Sequence, residues 1–186
     1  MGENVDIQKQ LEVKNREIYL NKLTIDLDNN LEILLITINN IINMLVNEIN
    51  GKINDFDNQD TSSYLSTFHK EIVEKIEMLI KKKIDNLKKG IEDIDNLDYK
   101  ETINLETQEL LENAKKLYSV QISTLINNLN LNKDDANVDY LNNYSLNKFM
   151  QKLEETFNNM DIILYNKYLE SNEKFKDLNA KTLNRV

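Results

Sequence analysis

The chain of 186 residues contains no cysteine, no proline, no tryptophan, three glycines and one histidine. The absence of cysteine excludes disulfides, thiolate metal ligands and cysteine nucleophiles. The single histidine excludes motifs that need two, such as the HExxH zinc site, and the three glycines form no phosphate-binding loop. His69 has Glu71 nearby but no serine or second histidine at a spacing that would complete a nucleophile pair. We therefore expect no metal and no cofactor, and we predict that the protein is not an enzyme.

The chain has fewer basic than acidic residues, 23 against 32, and its formal net charge is −9. An acidic chain is poorly attracted to nucleic acid or to an anionic membrane surface, so we expect neither as a partner. The most apolar window, 31–46, contains Glu32 and is shorter than the roughly 20 residues that span a bilayer. Residues 1–10 show no secretory signal, because they are charged and lack an apolar core. These observations predict a cytoplasmic location.

Asparagine is the most notable excess, with 30 residues scattered along the chain. Lysine outnumbers arginine by 21 to two, and alanine occurs only three times. Asparagine, isoleucine, lysine and tyrosine share AT-rich codons, so we attribute this bias to an AT-rich genome rather than to a prion-like segment.

The remaining apolar residues recur every three or four positions, the spacing of amphipathic helices. No stretch alternates with the two-residue period of a strand, and the absence of proline favours long uninterrupted helices. The pattern predicts one helical domain over 1–186, with helices at about 7–50, 63–95, 98–130 and 144–184 and polar loops at about 51–62 and 131–143.

Charge alternates in sign along these segments, which indicates their order in space. Counting acids and bases gives −6 for residues 1–60, +3 for 61–90, −7 for 91–140 and +1 for 141–186. In an up-down-up-down bundle each acidic helix borders the two helices that are neutral or basic. The sequence therefore predicts an all-α fold, an elongated antiparallel four-helix bundle with coiled-coil-like packing.

The first and last predicted helices are longer than the middle two, so their outer ends extend beyond the inner hairpin. These overhangs, residues 1–18 and 171–186, either pack on each other or bind a helix of a partner protein. The apolar residues that we expect to make such contacts are Ile7, Leu11, Ile18, Phe175, Leu178 and Leu183.

Two charged surfaces are further candidates. A basic stripe on the second helix comprises Lys75, Lys81, Lys82, Lys88 and Lys89, together with Lys83. It is either a phosphate- or lipid-binding surface or, the reading that we prefer, a solvated face paired with the acidic helices. An acidic face on the third helix comprises Glu101, Glu106, Glu109 and Glu112.

We interpret the chain as a non-enzymatic helical interaction or structural protein that acts through protein–protein contacts, in a complex or as a homo-oligomer. One alternative is an acidic inhibitor or decoy that occupies the basic groove of a nucleic-acid-binding protein, as the acidic face would allow. A second alternative is a surface or secreted helical antigen.

Overall fold

A computed structural model describes residues 2–53, 61–132 and 134–185, with side chains described as far as residue 182. Most of the predicted first loop, residues 54–60, lies outside the described residues. The described part contains α-helices α1 (Gly2–Ile53), α2 (Thr61–Gly90), α3 (Tyr99–Asn128), α4 (Ala136–Asp139) and α5 (Leu146–Arg185). The helices α1, α2, α3 and α5 pack together and confirm the predicted all-α bundle.

Side-chain contacts between neighbouring helices show that the four long helices run antiparallel. Along the α1–α2 seam, Asn43 contacts His69 and Asp28 pairs with Lys88, so one helix ascends as the other descends. The α1–α5 seam is also antiparallel, with the contacts Asn15–Thr182 and Glu48–Lys148. The α2–α3 seam has the contacts Asn86–Glu106 and Phe68–Tyr118. The α3–α5 seam has the contacts Thr107–Asp161 and Tyr118–Phe149. The order around the bundle is α1, α2, α3, α5, as the alternation of charge predicted.

The buried apolar side chains form two clusters, one at each end of the bundle. The larger lies at the closed end, where α1 meets α2 and α3 meets α5, and it includes Ile49, Ile76 and Phe149. The smaller lies toward the chain termini and includes Leu23 and Leu87. Burying these isoleucine, leucine and aromatic side chains is the main source of stability in such a bundle.

The predicted polar loop at 131–143 differs from the structure. Its second half is helical: α4 is followed directly by a π-helix over Tyr140–Ser145 that leads into α5. The Asp135 side chain accepts a hydrogen bond from the backbone N–H of Asn137 and so starts this segment. Val138 and Leu141 are both buried, and these two apolar residues outweigh the polar composition that predicted a loop.

The α2–α3 connection is tight. The helix α2 ends at Gly90 and passes into a six-residue 3-10 helix, Ile91–Asn96. The helix α3 then begins after Asp98, whose carboxylate accepts a hydrogen bond from the backbone N–H of Glu101 at 3.1 Å. Asp98 and Glu101 have the spacing of a capping box, and α3 begins close to the predicted helix start at about 98.

Replacing Asp98 with alanine should lower the free energy of unfolding by about 0.5–2 kcal/mol, because an N–H at the start of α3 loses its acceptor. Chemical denaturation followed by far-ultraviolet circular dichroism measures the difference. The matched control is Asp93→Ala, since Asp93 is also exposed in this connection but caps no helix. Equal losses for the two variants would show that the Asp98 cap contributes nothing specific.

Candidate protein-interaction surface

The two terminal overhangs pack on each other over part of their length. The Asn15 side-chain amide donates hydrogen bonds to Asn179 and Thr182, both at 3.0 Å. Tyr19 and Phe175 stack with ring centroids 4.7 Å apart. Of the two arrangements predicted for the overhangs, the structure therefore shows pairing from Asn15 onward.

Several of the apolar residues predicted to contact a partner remain accessible despite this pairing. Ile7, Leu11, Ile18 and Leu178 are exposed, whereas Phe175 is half-buried. The side chain of Leu183 lies outside the described residues. Contact of these residues with a partner stays a prediction.

Exposed apolar residues recur along one side of α1 and form a ridge. Five of its residues are separated by 4, 7, 7 and 11 positions, each close to a whole number of 3.6-residue turns. They therefore lie nearly in line along one side of the helix, and a sixth lies beside them. We call Ile7, Leu11, Ile18, Ile25, Ile33 and Ile36 the α1 ridge; each of these residues is between 37% and 59% exposed.

Most of the ridge points away from the bundle, although Ile18 and Ile33 also line grooves between α1 and α5. Asp28 and Lys88 mark the side of α1 that faces α2, and Asn15 and Thr182 mark the side that faces α5. The ridge lies between these two sides and opposite the core residues Leu27 and Leu34. It is about 45 Å long at 1.5 Å per residue. From position 39 to position 50 the exposed residues of α1 are Met44 and five asparagines, Asn39, Asn40, Asn43, Asn47 and Asn50.

A groove of about 370 Å³ runs beside the ridge, between α1 and α5. Its lining includes Ile33, Ile163 and two buried polar residues, Asp26 and Asn30. One Asp26 oxygen accepts a hydrogen bond from Lys22 at 2.8 Å, and the Asn30 amide donates to the Met160 carbonyl at 3.3 Å. The second Asp26 oxygen and the Asn30 oxygen have no hydrogen-bond partner among the residues that the structure describes.

The surface lysines of α2 are divided among local ion pairs. Lys75 pairs with Glu71 on its own helix, while Lys88 pairs with Asp28 of α1 and Lys82 approaches Glu109 of α3 at 3.9 Å. Lys81 and Lys89 are exposed. Pairs of this kind fit a solvated face between acidic helices, and each contributes at most about 1 kcal/mol.

Assigning Lys83 to this basic stripe was wrong. Its side chain is only 1% exposed and points into the bundle. The ammonium lies 2.6 Å from an Asp161 carboxylate oxygen and 4.8 Å from the centre of the Phe157 ring. The other Asp161 oxygen accepts a hydrogen bond from the Thr107 hydroxyl at 2.5 Å. Lys83, Thr107 and Asp161 thus form a buried polar triad that joins α2, α3 and α5.

The triad lies where the two apolar clusters meet. On α2 the closed-end cluster includes Ile80 and the terminal cluster includes Ile84, with Lys83 between them. Burial lowers the pKa of the Lys83 ammonium below its ordinary value, and the Asp161 carboxylate opposes that shift. Asp161 accepts hydrogen bonds from both Lys83 and Thr107, so the triad links α2, α3 and α5 at this level of the bundle.

The acidic residues of α3 do not converge on a common point. Glu101, Glu109 and Glu112 are exposed and Glu106 is half-buried. Glu106 accepts a hydrogen bond from the Asn86 amide at 3.1 Å, and Glu109 approaches Lys82. Two of the four residues therefore interact with α2. The decoy hypothesis that rests on this face stays a prediction.

His69 is half-buried at the α1–α2 seam, with its Nε2 atom 2.5 Å from the Asn43 side-chain oxygen. Ser66 lines the same open groove of about 430 Å³, but no hydrogen bond joins these two described side chains. Within 2–53, 61–132 and 134–185 no group of three or more histidine and acidic residues could hold a metal ion. The groove shows no pair of nucleophile and base.

Five tyrosines have raised pKa values, which predicts the response of the fold to alkali. Burial raises the pKa of Tyr19 to about 12 and also raises the pKa values of Tyr99, Tyr118, Tyr140 and Tyr168 above 10.0. A raised folded-state pKa stabilises the fold fully below the unfolded value of 10.0, and this stabilisation is lost as the pH rises further.

We therefore expect the free energy of unfolding to fall steadily as the pH rises above about 10. Because the chain lacks tryptophan, the ultraviolet absorbance of tyrosinate can be followed together with circular dichroism. A large part of the absorbance change should coincide with loss of helix. Complete ionisation of all eight tyrosines near pH 10 with the helix intact would contradict this expectation.

Within the described part of the chain, α1 is long and apolar enough to cross a membrane by length and composition alone. The core helix of a water-soluble bundle meets the same criterion. Leu34, Ile38, Leu45 and Ile49 of this helix are buried against other helices. Their packing accounts for part of the apolar character of the segment, since 28% of its most apolar 18-residue window is buried.

Comparisons of the chain with protein-family models, with curated proteins and with solved structures found no match. The surface of the bundle is therefore the basis for proposing a function.

Proposed function

We propose that this chain is a non-enzymatic helical interaction protein that acts through protein–protein contacts made by the outer side of α1. The observation that carries this proposal is the α1 ridge, in which exposed isoleucine and leucine residues recur along one side of the helix, most of them about two turns apart. Exposed large apolar side chains that gather on one side of a helix, rather than being scattered over the surface, are typical of interaction sites in water-soluble proteins.

The ridge is suited to binding another helix. It is about 45 Å long, and its residues follow the spacing that a partner helix meets along one side. Other exposed apolar residues of the bundle, such as Met78, Val120 and Ile162, stand on three different helices and form no comparable line. The predicted cytoplasmic location and the absence of membrane binding are part of the same proposal.

Photo-cross-linking in the native source tests the proposal. A photoreactive residue at Ile18 or Ile25 should give a discrete cross-linked protein product. The same residue at Val120 or Ile162, which are equally exposed, should not. Cross-linking that is no stronger at the ridge than at these controls would reject the proposal.

A further inference from the structure

We propose that the partner of the α1 ridge is a second copy of this chain, bound antiparallel about a two-fold axis that passes between Asn21 and Lys22. This inference rests on the proposed function, because it names the partner of the same surface. It is carried by the spacing of the ridge residues and by the two charged residues among them.

The ridge is self-complementary when it is read in opposite directions. Two residues face each other across this axis when their residue numbers add up to 43. Ile18 then meets Ile25 of the second copy, and Ile7 meets Ile36. Leu11 and Ile33 are each offset by one position, and they directly face Glu32 and Gln10 of the second copy. Four of the six ridge residues therefore face one another directly, in the reciprocal manner of an isologous two-fold interface.

The charges on the ridge select the antiparallel orientation over the parallel one. Lys14 and Glu32 lie along the same edge of the ridge, and neither forms an ion pair with another described residue. In the antiparallel dimer, Lys14 of one copy lies about one helical turn from Glu32 of the other, on the same side of the interface. A parallel dimer would instead place Lys14 level with Lys14 and Glu32 level with Glu32, so that no Lys14–Glu32 pair forms.

Lys22 lies next to the proposed axis, where two copies of it approach each other. Its ammonium is already paired with Asp26 at 2.8 Å, which offsets the charge locally. The second Asp26 oxygen is buried, so it lies away from the proposed contact.

The size of the interface sets the expected strength of association. A helix side about 45 Å long and about 10 Å wide buries about 1,000 Å² in total, the low end for specific interfaces. Each copy also carries a net charge of −9, so repulsion opposes association and added salt should favour it. We expect a reversible dimer with a dissociation constant on the order of micromolar.

Sedimentation equilibrium over a wide range of protein concentration is the first test. The mass should rise from 21.9 kDa toward twice that value. Ile18→Glu with Ile25→Glu should weaken dimerisation at least about 100-fold by placing four carboxylates at the centre of the contact. The control pair Val120→Glu with Ile162→Glu, at sites of similar exposure, should leave dimerisation unchanged. Circular dichroism confirms that each variant folds.

Distances between spin labels then test orientation, and the cysteine-free sequence makes single-site labelling clean. A label at Asn21 should lie close to its counterpart, at about the 8–10 Å helix spacing plus the label length. A label at Asn40 should lie about 55 Å from its counterpart, because 37 residues separate the two sites along the paired helices. Short distances at both sites would indicate a parallel dimer and overturn the proposal.

The remaining outcomes separate the dimer from the proposed function. A monomer at every concentration whose ridge still cross-links to another protein would overturn the dimer and leave the proposed function standing. A monomer whose ridge cross-links to no protein would overturn both. Ridge-dependent binding of the monomer to vesicles of neutral phospholipid would replace the dimer with a membrane contact.

Discussion

Replacing Lys83 with alanine is expected to lower the free energy of unfolding by about 3–5 kcal/mol, because it leaves the Asp161 carboxylate buried without its cation. Asp161 cannot turn to water without leaving Thr107, to which its second oxygen is hydrogen bonded. The variant also loses the contact between the Lys83 ammonium and the Phe157 ring. Chemical denaturation followed by circular dichroism measures the effect.

The matched control is the neighbouring Lys82→Ala, because Lys82 is exposed and its ion pair with Glu109 is long. It should change the free energy of unfolding by less than about 1 kcal/mol. A triple variant that makes the layer apolar, Lys83→Met with Thr107→Val and Asp161→Leu, should recover most of the loss. Equal effects of Lys83→Ala and Lys82→Ala would show that the buried pair does not form.

Replacing Phe149 with alanine should also cost about 3–5 kcal/mol of unfolding free energy, through lost burial and the cavity that remains. Phe149 is fully buried in the closed-end cluster and stacks on Tyr118, with ring centroids 4.2 Å apart. The hydroxyl of Tyr118 in turn forms a hydrogen bond with buried Ser145. Loss of the Phe149 ring therefore disturbs the contact among α3, α5 and the π-helix.

The control for Phe149→Ala lies on the same helix. Ile162 is mostly exposed, so Ile162→Ala should change the free energy of unfolding by less than about 0.5 kcal/mol. Thermal denaturation gives a second reading, with the midpoint of Phe149→Ala well below that of the control. A Phe149→Ala variant as stable as the unmodified protein would mean that the closed-end core is not packed as described.

Periodicity and charge were sufficient to predict the fold. Leu23, Leu27, Leu34 and Ile38 are separated by four, seven and four positions along α1, each close to a whole number of helical turns, and all four are buried. The alternating charges gave the order of the helices, because pairs such as Asp28–Lys88 and Glu48–Lys148 join an acidic helix to one of its neighbours. Neither signal depends on knowledge of loops or of any relative.

The buried triad was missed although a signal for it exists. Lys83 follows Ile76 by seven residues and Ile80 by three, which places it on the buried side of α2. The prediction grouped Lys83 with its neighbouring lysines because of their shared residue type, and it did not consider on which side of the helix Lys83 lies. Asp161 likewise follows Phe157 by four residues. That these two residues form a pair could not be read from the chain, since it depends on how α2 and α5 are aligned.

The α1 ridge was recognised only in part. Ile7, Leu11 and Ile18 were selected because they lie on the overhang, whereas Ile25 and Ile36 continue the same line over the body of the bundle. Their spacing is in the sequence, but their exposure became evident only when the positions of α2 and α5 fixed which side of α1 faces outward. The candidate surface therefore extends from the end of the bundle along the outer side of α1.

Hydroxyl-radical labelling of side chains in the native source tests most directly whether the α1 ridge is covered by a protein. Ile18, Ile25 and Ile36 should be labelled several-fold less than Val120 and Ile162, although all five are between 53% and 61% exposed in the single chain. Dilution of the purified protein should remove the protection if the partner is a second copy. Ridge residues labelled as strongly as the two controls at every concentration and in the native source would contradict the account.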